Sequence, residues 1–240
     1  LDKYTIMDDF TITNLSGTHE TILFFGKNAE SFISKLTGRA ISELNENGFI
    51  LTPEHDAIAF RSDDIPEAIK FTYSLRDKEY WSAAIFSEVN KSEFQLNEFN
   101  DKQFEIMRIE SGIPKFGAEM TDLTNPLECG LNKYVRFTKG CYIGQEVIAR
   151  LDAYDKISKH MVGLKIPAAP ADMPAFGDKI TLEGKECGFV TSAVVSEKNG
   201  PIGLGFVKTI FLDYGKRYSI KHNESLIDCN LVKLPFTGQT

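Results

Sequence analysis

The sequence contains few of the residues that build metal centres. It has four cysteines and four histidines among 240 residues. The cysteines form no C-x-x-C pair, and the histidines show no H-x-x-x-H spacing, which would place two ligands on one face of a helix. We therefore predict no metal site. A Gly-rich phosphate loop and a serine nucleophile elbow are also missing, so the sequence offers no support for nucleotide-phosphate binding or serine-hydrolase chemistry.

Long apolar runs and an excess of basic residues are missing as well. No run approaches the roughly 18 apolar residues that a membrane-spanning helix needs, and residues 1–4 resemble neither a signal peptide nor a transit peptide. Lys and Arg total 27 against 34 Asp and Glu, so the formal net charge is -7. Such a charge repels a phosphate backbone, although it leaves room for a local basic patch. We expect a cytoplasmic protein with free thiols, no membrane partner and no stable nucleic-acid partner.

What the sequence does contain is typical of a globular protein. Apolar residues make up 42% of the chain and charged residues 25%, as in ordinary soluble domains. In the first two thirds, predicted strands at 21–25, 57–60 and 81–86 interleave with predicted helices at 29–36 and 66–71. This alternation indicates a mixed fold that contains both helices and sheets.

After about residue 158 the pattern changes to short strand-like runs separated by Gly, Pro, Asn and Asp. The predicted strands are 161–166, 179–182, 188–194, 202–207, 218–221 and 226–232. Short strands at near-regular spacing are typical of a small antiparallel barrel. We therefore predict an α+β protein. Its residues 1–158 form one lobe or two interleaved subdomains, and its residues 159–240 form a C-terminal β-barrel.

One segment places a thiol between two glycines at the predicted start of a helix: Lys139-Gly140-Cys141-Tyr142-Ile143-Gly144-Gln145-Glu146. A helix N-terminus and a nearby cation such as Lys139 lower the pKa of a thiol and favour the thiolate, the nucleophilic and metal-binding form. Cys141 is therefore a candidate reactive residue. The alternative is that it is a small buried side chain in a turn that requires glycines. The remaining thiols are predicted to be buried and structural: Cys129, Cys187 and Cys229.

A second candidate is Glu110, in a predicted helix over residues 101–112. Ile106, Glu110 and Ile113 recur at helical spacing, so a carboxylate lies within an apolar stripe. Glu110 also occupies the last turn, where the negative end of the helix dipole disfavours an anion by about 0.3–1 kcal/mol. Two local penalties on one residue are typical of functional sites. The alternative is a glutamate at a frayed helix end, paired with Arg108 or with solvent.

Several stretches together resemble one known family. They are Asn125-Pro126-Leu127-Glu128-Cys129-Gly130-Leu131, Val135-Arg136-Phe137, and the cysteine segment extended to Arg150, and they are similar to the signature of the YgfZ family. Its members are folate-binding relatives of the glycine-cleavage T-protein and are associated with iron–sulfur protein maintenance and tRNA modification. Residues 108–114 also resemble the R-x-E-x-G segment of the wider superfamily's folate pocket. Residues 26–32 resemble its early strand-Gly-helix element.

The resemblance implies a fold and a set of site residues. The expected fold is a folate-binding lobe of ferredoxin-like sheets followed by an antiparallel barrel. Glu110 is expected to accept hydrogen bonds from the amino-pyrimidine edge of the pterin. Phe104 and His19 fall where relatives carry aromatic residues. The full set implied is Cys141 and Lys139 as catalytic residues, with Glu110, Phe104, Arg108, Tyr142 and His19 as folate-binding residues.

The resemblance also implies a function, with two alternatives. The expected protein binds tetrahydrofolate, or its formyl or methylene derivative, while Cys141 offers a thiolate to an iron–sulfur client protein, a metal centre or a one-carbon adduct. The first alternative is an enzyme, a folate-dependent aminomethyltransferase or demethylase of the T-protein type, although that enzyme's early acidic segment has no match here. The second is an interaction module without folate, in which Glu110 and Phe104 serve packing and capping.

Overall fold

The computed structural model describes most of the chain. The described residues are 11–40, 49–63, 65, 67–91, 94–140, 144–146, 148–149, 157–167 and 173–236. Cys141 and Tyr142 lie outside them. The chain divides into two compact units, Leu1–Glu98 and Phe99–Thr240. No helix in the described ranges is long and apolar enough to span a bilayer.

The first unit is a four-stranded antiparallel sheet with two helices packed on one face. Its elements are β1 (His19–Phe25), α1 (Ala29–Thr37), β2 (Phe49–Thr52), β3 (Ala57–Arg61), β4 (Ala68–Ser74) and α2 (Lys78–Lys91). The strand order is β1-β4-β3-β2. Phe32 of α1 and Trp81 of α2 are buried with Phe71 of β4 in one apolar core. The predicted strands 21–25 and 57–60 and the predicted helix 29–36 are thereby confirmed.

The predicted helix at 66–71 is wrong, because residues 68–71 belong to strand β4. Ile69, Phe71 and Tyr73 are buried and alternate with half-buried residues, which is the period of a strand with one face on the core. A proline before an apolar run suggested a helix start in the sequence. The alternation continues through Tyr73, beyond the stretch on which the helix prediction was based, and this longer pattern identifies the strand.

The predicted strand at 81–86 is also wrong, because these residues lie inside helix α2. Trp81, Ala84 and Ile85 recur at i, i+3 and i+4 and pack on the core of the first unit, which is helical spacing. The Trp81 indole Nε1 donates a hydrogen bond to the backbone oxygen of His55 at 3.0 Å. A short apolar run is ambiguous between helix and strand, and here tertiary packing selects the helix.

The second unit is dominated by a closed antiparallel barrel. Helix α3 (Asp101–Glu110) precedes it, and its strands are β5 (Lys159–Lys165), β6 (Lys179–Leu182), β7 (Lys185–Ser196), β8 (Gly200–Lys208), β9 (Arg217–His222) and β10 (Ser225–Val232). The order around the barrel is β10-β5-β8-β7-β6-β9, so the first and last strands pair and close it. Leu164, Ile180 and Tyr218 are among the residues buried inside. The predicted α+β class and C-terminal antiparallel barrel are confirmed.

Strand β8 is buried on both of its faces, which is why helix α3 is held against the barrel. Val207 packs into the barrel interior. Ile202 and Leu204 point the other way and form a second apolar cluster with Ile109 of α3 and Phe236. A strand with both faces covered reads as a continuous apolar run rather than an alternating one. The outer face of the β7–β8 hairpin therefore positions α3 and its last residue.

Candidate functional site

Helix α3 has well-defined ends. Its N-terminus is a capping box, in which the Gln103 backbone N–H donates to Asn100 Oδ1 at 2.9 Å and the Asn100 N–H donates to Gln103 Oε1 at 3.0 Å. Such a box satisfies two N–H groups that the helix itself leaves unpaired. The helix ends at Glu110, and Gly112 follows with a φ of +68°. That left-handed conformation is the usual way to terminate a helix. Glu110 therefore lies at a fixed position.

The segment after the barrel holds this helix end in place. The Phe236 backbone N–H donates to the backbone oxygen of Glu110 at 2.8 Å. Leu234 packs so closely on Gly112 that a Cβ built on the glycine would lie 2.8 Å from Leu234 Cβ. Gly112 is thus required both for its positive φ and for the close approach of Leu234. The backbone of Glu110 is fixed by contacts from the other end of the unit.

The side chain of Glu110 is held by the turn that joins β7 to β8. Ser196 Oγ donates a hydrogen bond to Glu110 Oε1, and Asn199 Nδ2 donates to the same oxygen at 3.1 Å. Neither donor was predicted, and Arg108, predicted as an alternative partner, bonds elsewhere. These two hydrogen bonds offset the unfavourable placement of an anion at a helix C-terminus.

The two carboxylate oxygens of Glu110 differ in their hydrogen bonds within the described part of the chain. Glu110 is half-buried, and among the described residues Oε1 receives both side-chain hydrogen bonds while Oε2 receives none. A carboxylate oxygen can accept more than one hydrogen bond, and charge-assisted bonds to it are stronger than neutral ones. The arrangement therefore presents an oriented acceptor suited to a ligand that carries N–H donors.

Arg108 is a buried scaffold residue. Its Nη2 donates to Glu105 Oε1 at 2.6 Å and to Ser192 Oγ at 2.8 Å. Its Nη1 donates to the Ile113 oxygen at 2.6 Å and to Glu119 Oε2 at 3.0 Å, and its Nε donates to Glu105 at 3.0 Å. Every N–H of the guanidinium is therefore used within the protein. A direct contact of Arg108 with folate stays a prediction, and such a contact would have to displace one of these bonds.

The acidic partners of Arg108 complete a compact network. Glu119 is fully buried and also accepts hydrogen bonds from Ser192 Oγ at 2.7 Å and from the Lys115 N–H at 2.9 Å. The hydrogen bond from Arg108 holds the pKa of Glu105 below its usual value, and burial only partly opposes this. Because each buried charge has partners, the network is a satisfied one. It joins α3 to strand β7 next to the Glu110 site.

Phe104 lies on the same helix as Glu110 but on a different side. Six residues separate them, which on a regular helix is about 9 Å along the axis and about 120° around it. Phe104 is 43% exposed. Ile106 and Met107, one turn before Glu110, are closer neighbours on the helix surface and are half-buried. If Phe104 contacts folate, as predicted, it does so at a part of the ligand distant from the Glu110 carboxylate.

The predicted apolar stripe of helix α3 does not coincide with the face of the helix that is buried. Ile109 is completely buried and Arg108 nearly so, whereas Ile106 and Glu110 are half-buried. The stripe was predicted from the spacing of apolar residues alone. Spacing does not reveal that Arg108 is buried, because that depends on its acidic and carbonyl partners. Glu110 therefore lies at the border of the buried face, where its side chain contacts the β7–β8 turn and stays partly exposed.

His19 lies in the first unit, at the start of β1. Its Nδ1 is 2.9 Å from Thr18 Oγ1, and its Nε2 is 3.4 Å from Asp56 Oδ2. Its side chain is 16% exposed. These contacts fix both ring nitrogens within the first unit. The predicted contact of His19 with folate stays a prediction.

Of the cysteine segment, only the residues around the thiol are described. Lys139 is exposed, and Gly144 has a φ of +90°. Residues 145–146 and 148–149 are helical, and the Ile148 N–H donates to the Gly144 oxygen at 3.3 Å. A helix thus starts directly after Gly144. The predicted roles of Cys141 and Tyr142 fall on residues outside the described ranges.

The other three thiols are buried, as the sequence predicted: Cys129, Cys187 and Cys229. Burial raises the pKa of the first two, and it raises the pKa of Cys229 to about 12. A thiol reacts as thiolate, so these three are poor nucleophiles at neutral pH. Within the described residues, no group of His, Cys, Asp and Glu side chains is arranged to hold a metal ion.

Ser196 and Asn199 were missed by sequence reasoning. Their hydrogen bonds to Glu110 span 86 and 89 residues of chain. Both residues lie at a hairpin turn, where Ser and Asn are common for reasons of backbone conformation alone. No local pattern in one sequence distinguishes a turn residue from one that also binds a distant carboxylate.

Comparison with known proteins finds similarity both in the barrel and over most of the chain. Residues 159–237 match the family described as glycine cleavage T-protein C-terminal barrel domain. An aminomethyltransferase of Listeria welshimeri is 24% identical over 235 residues, which are 96% of this chain and 63% of that protein. An aminomethyltransferase of Desulforamulus reducens is 31% identical over 131 residues, 54% of this chain and 35% of that protein.

Two further relatives are informative. A chloroplastic protein of Arabidopsis thaliana named as a transferase is 40% identical over 106 residues, 44% of this chain and 24% of that protein. The crystal structure of the glycine cleavage system aminomethyltransferase T from Bartonella henselae aligns with a TM-score of 0.73 at 21% identity, covering 92% of this chain and 60% of that one. The chain spans from 24% to 63% of the length of these curated relatives.

Proposed function

We propose that this chain is a folate-binding protein that supports the assembly or repair of iron–sulfur proteins and the tRNA modification linked to it. The barrel and the fold, which resemble those of the T-protein superfamily, support folate binding. Its ligand is tetrahydrofolate or the formyl or methylene derivative. It is a cytoplasmic protein of the YgfZ type, whose partners are folate and iron–sulfur client proteins.

The observation that supports folate binding most directly is the half-buried carboxylate of Glu110. Its Oε1 is occupied by Ser196 and Asn199, and its Oε2 has no partner among the described residues. The amino-pyrimidine edge of a pterin carries adjacent N–H donors that suit such an acceptor. Oε2 accepts from this edge, while Phe104 contacts a more distant part of the ligand.

The proposed reactive group is Cys141. Support comes from the surroundings of the other thiols, which are buried and have raised pKa values, so that they are poor candidates. Lys139 beside Cys141 and the helix that follows Gly144 both favour a thiolate. This thiolate acts on a client protein, a metal centre or a one-carbon adduct, while folate is bound at Glu110.

A second candidate function is that of a folate-dependent one-carbon transferase, an aminomethyltransferase or demethylase. The names of the relatives from Listeria welshimeri and Desulforamulus reducens favour it. The cysteine segment favours the first candidate, because a transferase of the T-protein type does not depend on a thiol. Purified protein that released ammonia or formed a methylated product in a folate-dependent reaction would support the transferase.

The proposal is tested by titrating tetrahydrofolate into the purified protein and measuring the heat of binding. We expect Glu110→Gln to weaken the affinity at least tenfold, because a hydrogen bond to a charged group contributes about 1.5–3 kcal/mol. Glu224→Gln is the matched control, since Glu224 is exposed in the β9–β10 turn, and its side chain has no hydrogen bond or ion pair to another residue that the structure describes. Unchanged affinity in Glu110→Gln would exclude the assigned role of this residue.

A further inference from the structure

Two side chains of the turn between β7 and β8 donate hydrogen bonds to one oxygen atom of Glu110. Ser196 is 2% exposed, and its Oγ accepts hydrogen bonds from the Lys198 N–H at 3.1 Å and the Asn199 N–H at 2.9 Å. A hydroxyl that accepts two backbone donors has one hydrogen left to give. That hydrogen is directed to Glu110 Oε1, which also accepts from Asn199 Nδ2. The turn therefore acts as an oriented pair of donors.

We propose that Ser196 and Asn199 are positioning residues for folate, which hold Glu110 so that Oε2 faces the pterin. The inference rests on the proposed function, because it assigns a role toward the same ligand. Neither residue touches the folate in this arrangement. Both act through the carboxylate, by fixing the rotation of a side chain that would otherwise sample several rotamers.

The hydrogen bonds to Glu110 are not needed to attach α3 to the barrel. Ile109 already packs on Ile202 and Leu204 of β8. Arg108 already donates to Ser192 of β7 at 2.8 Å. The contacts of Ser196 and Asn199 are therefore additional, and their specific effect is on the orientation of the carboxylate.

The arrangement also uses the carboxylate asymmetrically. Two donors on Oε1 saturate one side of the group, and Oε2 has no partner among the described residues. A turn that served only to stabilise the charge of Glu110 could donate to either carboxylate oxygen or to both. A held carboxylate loses less side-chain entropy when a ligand binds, which increases affinity without any new contact.

The experiment is a double-mutant cycle on tetrahydrofolate affinity, measured by calorimetry with wild type, Ser196→Ala, Asn199→Ala, Glu110→Gln and each double variant. We expect each single change in the turn to weaken binding about five- to tenfold. In the Glu110→Gln background the same changes should have little further effect, because the group that they orient has already lost its charge. Ser225→Ala, at an exposed serine in the β9–β10 hairpin, is the matched control and should bind like wild type.

Unfolding midpoints in urea, measured without folate, provide a second readout that does not depend on the ligand. If the effects of Ser196→Ala and Glu110→Gln are coupled in the unfolding midpoint but not in tetrahydrofolate affinity, the contact has only a structural role and the inference is overturned. If Ser196→Ala does not fold, Asn199→Ala tests the same role from a less buried position. Wild-type affinity in both turn variants, with weak binding by Glu110→Gln, would refute the inference and leave the proposed function intact. Failure of wild type to bind would refute both.

Discussion

At the level of single residues, three of the four thiols are buried: Cys129, Cys187 and Cys229. Cys187 and Cys229 are enclosed in the barrel interior, and Cys129 is buried with its Sγ 3.4 Å from the backbone oxygen of Glu119. Desolvation is the largest cause of the raised pKa at all three. Cys141, between two glycines and next to Lys139, has sequence neighbours that favour the opposite shift.

Cys141 should therefore be the most reactive thiol. Limited alkylation of the folded protein with iodoacetamide, followed by mass spectrometry, should label Cys141 first. The other three should react only after denaturation, because each must be exposed and ionised before it can attack. Earlier labelling of any buried cysteine, or a rate for Cys141 that rises only above about pH 8.5 as for an ordinary thiol, would contradict the prediction.

At the level of elements, the end of helix α3 depends on one glycine. Replacing Gly112 with alanine places a side chain at a φ of +68° and within 2.8 Å of Leu234 Cβ. The conformational cost is about 1–3 kcal/mol, and the overlap adds about 1–3 kcal/mol. We expect Gly112→Ala to lower the free energy of unfolding in urea by about 2–6 kcal/mol, the sum of the two costs. It should also weaken folate binding, since the last turn carries Glu110.

Gly130→Ala separates the two costs. Gly130 belongs to the same unit and has a φ of +72°, but apart from its chain neighbours no atom of the described residues lies within 4 Å of its Cβ position. This variant should show only the conformational cost and should bind folate like wild type. Equal destabilisation by the two variants would mean that the contact between Gly112 and Leu234 contributes nothing.

The elements also show how far the sequence alone can lead. All the barrel strands were predicted, because turn residues separate them in the sequence. Helix α3 was predicted from its spacing and its terminating Gly112. A helix was predicted at strand β4 and a strand at helix α2, because short apolar runs are ambiguous between the two. At β4 the longer alternation through Tyr73 indicates the strand, whereas at α2 packing on the core decides. In the candidate site, Glu110 could be proposed from its unfavourable placement, whereas Ser196 could not, because its partner is distant in the chain.

At the level of the whole molecule, the two candidate functions make different demands on the thiol. The proposed maintenance function depends on Cys141, whereas a transferase of the T-protein type would depend on folate but on no cysteine. Cys141→Ser keeps the size of the side chain, but a hydroxyl is not ionised at neutral pH and is a poor ligand for soft metals. The variant therefore separates the two functions without removing the folate site.

In a strain that lacks its own copy of the gene, we expect the wild-type chain to restore the activity of iron–sulfur enzymes under oxidative stress. Cys141→Ser should fail to restore it, while its folate affinity in vitro stays that of wild type. Cys187→Ser serves as a control for thiol loss, provided that its melting temperature is first shown to be unchanged. Full rescue by Cys141→Ser would favour the transferase.

Because both faces of strand β8 are buried, the barrel cannot be cut out of the chain at an arbitrary point. Similarity to known barrels begins at residue 159, and the pairing of β10 with β5 closes the barrel without any earlier residue. A fragment cut at that point would nevertheless expose Ile202, Leu204 and Phe236, which pack against Ile109. Such an apolar patch on a small domain promotes aggregation. The shortest fragment that keeps this face covered therefore starts at the helix cap, Asn100, rather than at the first strand of the barrel.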